Sequence, residues 1–183
     1  MKIKRTINII IIVLGFSLIV NYFIYDNVKK TVNNVDANNY ISKPVVKNNM
    51  KDDIIGVLNI PKINFKMGFY NYNSKENNVN KNITLLNNTL PDKKNSTMII
   101  AAHSGNSYLG YFKNLNKLDI NDNIEIYYNN KKYHYIVDNI YEEEKDGTIE
   151  INKNSKDTTL ILTTCSKKKD KQLIIFCKLF RID

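Results

Sequence analysis

Two residues of this sequence, Cys165 and His103, have the types and surroundings that nucleophilic catalysis needs. Cys165 ends the apolar run Leu160–Thr164 and is followed by Ser166 and by a run of lysines. Because the thiolate is the reactive form of cysteine, a nucleophilic cysteine needs partial exposure and positive charge nearby. Lys167–Lys169, and a histidine across the sheet, would supply that charge. Cys165 is therefore the predicted nucleophile.

His103 has a similar setting, at the end of the apolar run Met98–Ala102 and just before Ser104 and Gly105. A histidine at a strand end that opens into a glycine-containing loop is expected at the rim of a pocket, where it can act as acid and base. The other histidine, His134, lies between two tyrosines in the middle of a predicted strand. We predict a structural role for His134 and the acid/base role for His103.

The second cysteine, Cys177, lies inside an apolar run and is predicted to be a small buried hydrophobic residue. Two cysteines cannot form a disulfide framework or a four-ligand zinc site. A single disulfide between Cys165 and Cys177 stays open, and it ranks below a free Cys165. The acidic residues Glu142–Glu144 and Asp146 are predicted to form a solvated loop rather than a calcium site. We expect no metal and no other cofactor.

The elements that must position these side chains are short apolar runs separated by polar turns, a pattern typical of strands. A β-sandwich or a closed barrel is the predicted mainly β fold, with one or two short helices. Helical patterns occur at Tyr108–Leu118 and Val79–Asn87. The predicted strands are Ile54–Ile60, closed by Pro61, then Thr97–Ala102, a hairpin of Asn123–Tyr128 and Lys131–Tyr141 around Asn129 and Asn130, then Thr158–Thr164 and Gln172–Arg181.

The N-terminal residues predict where in the cell the protein is located. Residues 1–6 are basic and precede an apolar run over residues 7–25, long enough for a helix to cross the roughly 30 Å core of a bilayer. A cleavable signal peptide would need small residues at the end of the run, and bulky ones stand there. We therefore predict a retained transmembrane anchor with a cytoplasmic N-terminus. Residues 26–53 are predicted to be a polar stalk or a loosely ordered linker, and residues 54–183 the folded extracytoplasmic domain.

The distribution of charged residues argues against nucleic acid as a partner. Lysine and arginine number 27 against 18 acidic residues, for a formal net charge of +9. The lysines are scattered, with no basic helix and no face that interleaves aromatic and basic residues, so nucleic acid is not an expected partner. A basic surface also suits a protein that works near anionic lipids or cell-wall polymers.

The order of four short motifs after the apolar run resembles that of a sortase. Sortases are extracytoplasmic cysteine transpeptidases of Gram-positive bacteria with a small closed β-barrel, so the resemblance implies that fold for residues 54–183. The short interval between His103 and Cys165 is similar to that of the compact sortases and leaves no room for the insertion of the class B type. The motifs are Ile60–Ile63, Ala101–His103, Tyr111–Leu115 and Leu162–Cys165.

The resemblance implies a two-step acyl transfer at the plasma membrane. Cys165 would attack a threonine carbonyl in an LPXTG-like sorting signal and form a thioester, which an amine of a peptidoglycan precursor or a pilin lysine then resolves. His103 would protonate the leaving amine and deprotonate the incoming one. The implied partners are surface proteins or pilins that carry a sorting signal, with surface-protein anchoring favoured over pilus polymerisation.

One position departs from the family pattern in a way that affects catalysis. Sortases have an arginine at the start of the strand after the cysteine, and in the best register this chain has Gln172 there. A glutamine amide can donate a neutral hydrogen bond, and losing a charged oxyanion donor typically costs about 10²–10³ in rate. Lys171 could substitute, whereas Arg181 lies too far along the strand. Thr164 and Lys171 are the predicted substrate-binding residues.

Two other functions therefore stay open. A degenerate barrel of weak or no activity could bind sorting signals, and the Gln172 substitution motivates that alternative. Another cysteine hydrolase of the cell wall would use the same Cys165 and His103 but would need no amine acceptor.

Overall fold

A computed structural model describes residues 2–42, 54–149 and 156–183. After an N-terminal helix, the chain forms one eight-stranded sheet. The strands are β1 (Ile54–Ile60), β2 (Phe65–Tyr70), β3 (Thr84–Leu85), β4 (Thr97–Ala101), β5 (Asn123–Tyr128), β6 (Lys131–Glu144), β7 (Thr159–Cys165) and β8 (Lys171–Ile182). Their order is β2-β1-β5-β6-β8-β7-β4-β3, and the two edges, β2 and β3, contact each other. The sheet is thus a nearly closed barrel, which confirms the predicted mainly β class.

Side chains alternate between the two faces of each strand, and those on the inner face fill the barrel. In β7, Leu160 and Leu162 belong to the main core cluster, whereas Ile161 between them belongs to a second, smaller cluster on the other face. This period of two is what a strand requires. The β5–β6 hairpin turns through Asn129 and Asn130, whose φ angles of 54° and 61° are the pair of positive values of a tight two-residue turn.

Most predicted strands are confirmed within a few residues, but the two predicted helices are wrong. The structure has 3-10 turns at Pro61–Ile63 and Leu115–Lys117, and strand β3 inside the predicted helix Val79–Asn87. There the side chain of Asn77 bonds the backbone of Leu85 at both its N–H and its carbonyl. Such side-chain bonds compete with helix formation. The sequence analysis also missed β2.

The helical pattern of Tyr108–Leu118 has a different origin. Phe112 and Leu115, three residues apart, both point into the barrel core and are fully buried. The spacing imitates one face of a helix, although the segment is a succession of turns that caps the barrel. Phe112 packs edge-on against Phe65 of β2, with ring centroids 5.6 Å apart.

One pair of neighbours in the barrel runs parallel. Strands β4 and β7 pair from Thr97 opposite Thr159 to Ala101 opposite Thr163, whereas the other paired strands are antiparallel. Parallel neighbours end at the same edge of a sheet. The segments that follow β4 and β7 therefore leave the barrel side by side.

The N-terminal helix, α1, runs from Lys2 to Ser42. It ends two residues before Pro44, a residue type that disfavours helix at the position preceding it. The helix is long and apolar enough to cross a membrane by length and composition. Residues 26–42, predicted as a stalk or a loosely ordered linker, continue this helix, and residues 43–53 lie outside the described part of the chain.

The second half of α1 packs against the barrel. Ala37 is fully buried, and Tyr40 donates a hydrogen bond to the carbonyl of Ile55 in β1. Within the apolar run, the Tyr22 hydroxyl donates to the Asn106 carbonyl at 3.0 Å. The Lys29 ammonium lies 4.7 Å from the ring centre of Tyr108. Polar and aromatic contacts thus join the helix to the barrel from the end of the apolar run to Tyr40.

Gly110 offers a test of the turn that follows β4. A Cβ added there would lie 1.7 Å from the backbone oxygen of Gly105, so Gly110→Ala forces the turn to shift. Overpacking of this kind typically costs about 1–3 kcal/mol, and we expect a lower melting temperature in thermal denaturation of the full chain in detergent. Gly105→Ala is the matched control, because its Cβ would meet nothing within 4 Å. Equal losses in both variants would contradict this account of the turn.

Candidate active site

His103 and Cys165 come together where the parallel pair β4 and β7 ends. Ala101 lies opposite Thr163, so two residues further along His103 faces Cys165 on the neighbouring segment. Neighbouring strands are about 4.8 Å apart, and residues in parallel register point to the same face. Of the two histidines, the structure thus places the predicted one beside the predicted nucleophile. Both side chains are partly exposed.

Three hydrogen bonds continue the pairing past the strand ends. The Ala102 N–H donates to the Thr163 carbonyl at 3.3 Å, and the Thr164 hydroxyl donates to the Ala102 carbonyl at 2.6 Å. The Ser104 hydroxyl donates to the Cys165 carbonyl at 2.7 Å. These bonds lock the segment that contains His103 to the one that contains Cys165. They also show Thr164, a predicted substrate contact, as a buried residue of the opposite face with its hydroxyl engaged.

The backbone and the ring of His103 each have a partner. Its carbonyl accepts a hydrogen bond of 2.9 Å from the N–H of Phe112, which the barrel core holds in place. Its Nε2 lies 3.2 Å from Oδ1 of Asn80, in the loop between β2 and β3. A side chain that holds one imidazole nitrogen orients the ring and leaves the other nitrogen for proton transfer. The sequence analysis missed Asn80, because nothing links it to His103 before the fold is known.

The sulfur of Cys165 has a cationic partner that the sequence analysis also missed. Lys145 Nζ donates to Cys165 Sγ at 3.2 Å from the loop that follows β6. The charge was expected from Lys167–Lys169 instead. Lys168 is turned away, with its ammonium 2.5 Å from a carboxylate oxygen of Glu142, while the Lys167 and Lys169 side chains are exposed. The predicted cation at the thiol is present, but it comes from another loop.

Gln172 lies near the start of β8, directly opposite Cys165 in the β7–β8 pairing. Its amide nitrogen does not donate to the cysteine. It donates to the carbonyl of Thr148 at 2.7 Å and to the carboxylate of Glu143 at 2.9 Å. The neighbouring Lys171 points to the other face of the sheet, and its ammonium is 3.5 Å from Glu144.

Arg181 lies at the far end of β8, as expected. It is nine residues from Gln172, roughly 30 Å along a strand. There it pairs with Asp183 at 2.8 Å and contacts His134. His134 is buried, with its Nε2 2.9 Å from the Asp183 carboxylate. His134 thus belongs to a charged cluster remote from the cysteine.

The acidic residues 142–146 lie at the rim of the site. Glu142–Glu144 are the last residues of β6, so the predicted solvated loop is wrong for them, whereas Asp146 lies in the loop that follows. Hydrogen bonds from Lys168 and Ser166 hold the pKa of Glu142 below its ordinary value. The hydroxyl and N–H of Thr148 do the same for the pKa of Asp146. Over residues 2–42, 54–149 and 156–183, no group of three or more His, Cys, Asp or Glu side chains is arranged to hold a metal ion.

A second apolar cluster lies on the same outer face of the sheet as the cysteine. Ile99, Ile161 and Ile174 form it on the adjacent strands β4, β7 and β8, and all three are buried. Side chains two and four residues from Cys165 along β7 share its face, so this cluster leads up to the thiol. Ile149, from the loop that carries Lys145, packs against it. The cluster therefore packs that loop onto the sheet beside the thiol.

Comparisons with known proteins agree with this geometry. The family model of the sortase domain matches residues 58–180. A sortase C of Streptococcus pneumoniae, described for its catalysis and pilin substrate specificity, is 23% identical with a TM-score of 0.61, over 70% of this chain and 67% of that one. A sortase D5 transpeptidase of Clostridium perfringens is 25% identical with a TM-score of 0.60, over 70% and 80%.

Sortase C1 of Streptococcus agalactiae is also 25% identical, with a TM-score of 0.61, over 79% of this chain and 75% of that one. A comparison with curated protein sequences gave no match. The resemblance drawn from the four motifs is confirmed.

The two cysteines should differ sharply in reactivity. Both are free, but Cys177 is fully buried, and burial raises the pKa of its thiol far above the ordinary value. Cys165 is partly exposed beside an ammonium. We expect a methanethiosulfonate reagent at neutral pH to modify Cys165 alone in the native chain, and Cys177 only after denaturation, as read by peptide mass spectrometry. The Cys165→Ala variant should take no label when folded. Equal labelling of both thiols would contradict the structure.

Proposed function

This chain belongs to the sortase family, and from that premise we propose that it is a membrane-anchored transpeptidase with Cys165 as nucleophile. It would cleave an LPXTG-like sorting signal and transfer the acyl group to an amine of the cell wall or of a pilin. The observation that carries the proposal is the parallel end of β4 and β7, which sets His103 beside Cys165. The partly exposed thiol at this edge of the barrel fits attack on a peptide bond.

The proposed reaction has two steps. The thiolate sulfur attacks the threonine carbonyl carbon, and the electron pair of the carbonyl moves to oxygen. Collapse of this intermediate breaks the C–N bond, and the leaving amine takes a proton from the His103 imidazolium. In the second step, neutral His103 takes the proton of the acceptor amine as it attacks the thioester. The thiolate then leaves, and a new amide is formed.

The proposed place of work is the outer face of the plasma membrane. The apolar half of α1 supports a single retained span, and the basic residues before it favour a cytoplasmic N-terminus. Substrates with a membrane-embedded tail and lipid-linked acceptors would meet there. One matched structure is described for pilin substrate specificity and another as a pilus-island sortase, so pilins join surface proteins as candidate substrates.

A second function, binding of sorting signals without catalysis, has one observation in its favour. The Gln172 amide is engaged with Thr148 and Glu143 and is turned away from the cysteine. A neutral residue so engaged cannot perform the task of an arginine at the oxyanion. The two functions differ in whether Cys165 forms a thioester with a bound peptide.

Transpeptidation is testable with the full chain in detergent. A panel of LPXTG-like peptides is offered with an amine acceptor, either a peptidoglycan-type amine or a pilin-type lysine peptide, and products are read by mass spectrometry. We expect a thioester and an amine-linked product, both absent in Cys165→Ala. His103→Ala should reduce the rate by about 10²–10⁴, since it removes the acid/base group.

His134→Gln is the matched histidine control and should keep the activity. A folded chain with a reactive Cys165 that binds a peptide yet forms no thioester would overturn the enzyme and support the binding function. Cleavage that is independent of the amine would indicate a hydrolase instead.

A further inference from the structure

We propose that Lys145 is the catalytic cation of this active site and that Gln172, in the arginine position, serves to hold the loop that carries it. This inference rests on the proposed function. Its central observation is the contact of 3.2 Å between Lys145 Nζ and Cys165 Sγ. An ammonium beside a thiol stabilises the thiolate, the form that attacks.

The position of Lys145 follows from the strand that precedes it. In β6, Glu143 pairs with Gln172 and Glu144 with Lys171, and the next N–H, that of Lys145, donates to the Asp170 carbonyl at 2.9 Å. Side chains alternate along a strand, so Lys145 shares the face of Glu143, which is also the face of Cys165. The register of β6 against β8 therefore directs the ammonium towards the sulfur.

Two of the cations near the cysteine are engaged elsewhere. The ammonium of Lys168 is paired with Glu142 at 2.5 Å, and that of Lys171 with Glu144 at 3.5 Å. Within the described ranges, Lys145 forms no salt bridge with a carboxylate. No neighbouring carboxylate therefore neutralises its ammonium at the sulfur, and solvent screens part of its field on this exposed rim.

Gln172 is the positioning residue of this arrangement. Its amide nitrogen donates to the Thr148 carbonyl at 2.7 Å, three residues beyond Lys145. It also contacts the Glu144 carbonyl, one residue before Lys145, at 3.4 Å. One side chain thus holds the backbone on both sides of the lysine. An arginine, with its charge at this position, would make a second cation from the loop unnecessary.

The Lys145 ammonium can stabilise the negative charge throughout the acylation step. Before attack the negative charge is on sulfur, and after attack it is on the former carbonyl oxygen, two bonds away. Both positions lie within the Coulomb range of the Lys145 ammonium. His103 alone exchanges a proton with the leaving and incoming amines. The chemistry therefore balances with one fixed cation and one acid/base.

Alkylation of Cys165 by iodoacetamide tests Lys145 without any peptide. The full chain in detergent is compared with Lys145→Met, Lys145→Arg and Lys167→Met. Loss of the ammonium should slow alkylation at neutral pH about three- to tenfold, since fewer thiolates form although each is somewhat more nucleophilic. Lys145→Arg should keep most of the rate. Lys167→Met, which removes an equally exposed charge with no hydrogen bond to Sγ, should change little.

The pH dependence of alkylation distinguishes an electrostatic effect of Lys145 from an effect on the access of the reagent to the sulfur. At a pH of about 9.5, above the ordinary ionisation of a cysteine at about 8.5, the rates of the wild type and Lys145→Met should converge. A loss that is equal at both pH values, or equal losses in Lys145→Met and Lys167→Met, would overturn the inference. Because alkylation needs no sorting signal, these outcomes stand whether or not any peptide is processed.

The role of Gln172 is tested by a double-mutant cycle on the same readout. Gln172→Ala alone should slow alkylation, because the loop loses its anchor and the ammonium its position. In the Lys145→Met background the same change should have no further effect, since there is no ammonium left to position. Additive losses in the double variant would show that Gln172 acts by another route and would overturn its positioning role.

Discussion

The parallel pairing of β4 with β7 is the constraint on which the site depends. Two antiparallel strands end at opposite edges, so they cannot bring two strand-end residues together without long loops. Here the parallel register carries His103 and Cys165 to one edge, and the Ser104 and Thr164 hydroxyls extend the pairing by hydrogen bonds where the ladder stops. The pair lies inside the sheet, because β8 flanks β7 and β3 flanks β4.

The features predictable from sequence were those whose signal is local. Strand ends were marked by apolar runs that stop at a histidine or a cysteine, and the β5–β6 turn by two asparagines that tolerate positive φ. The place of Gln172 at the start of β8 followed from the resemblance to the sortase pattern and not from a local signal.

The features that could not be predicted from the sequence depend on packing or on contacts between residues distant in the chain. Phe112 and Leu115 imitate a helix because the core, not a helix, sets their spacing. The polar residues after the apolar run show no pattern, so the sequence left a stalk and a loose linker both open, and contacts such as that of Tyr40 with β1 accompany the helix as far as Ser42. Lys145 is twenty residues from the cysteine, and no local pattern distinguishes it from the other lysines. Such pairings are set by the register of β6 on β8, which no propensity reports.

The continuous helix α1 has a mechanical consequence. Its 41 residues make a rod of about 60 Å, of which a bilayer core needs about half. The remainder lies along the barrel, where Tyr40 bonds to β1 and Lys29 bonds to the Tyr108 carbonyl in the segment that follows β4. A barrel packed on this helix cannot reorient freely about a flexible tether. If the apolar half of α1 spans a bilayer, the tilt and rotation of that one helix set the height and the orientation of the active site relative to the membrane. Substrates must then reach the site at that fixed height.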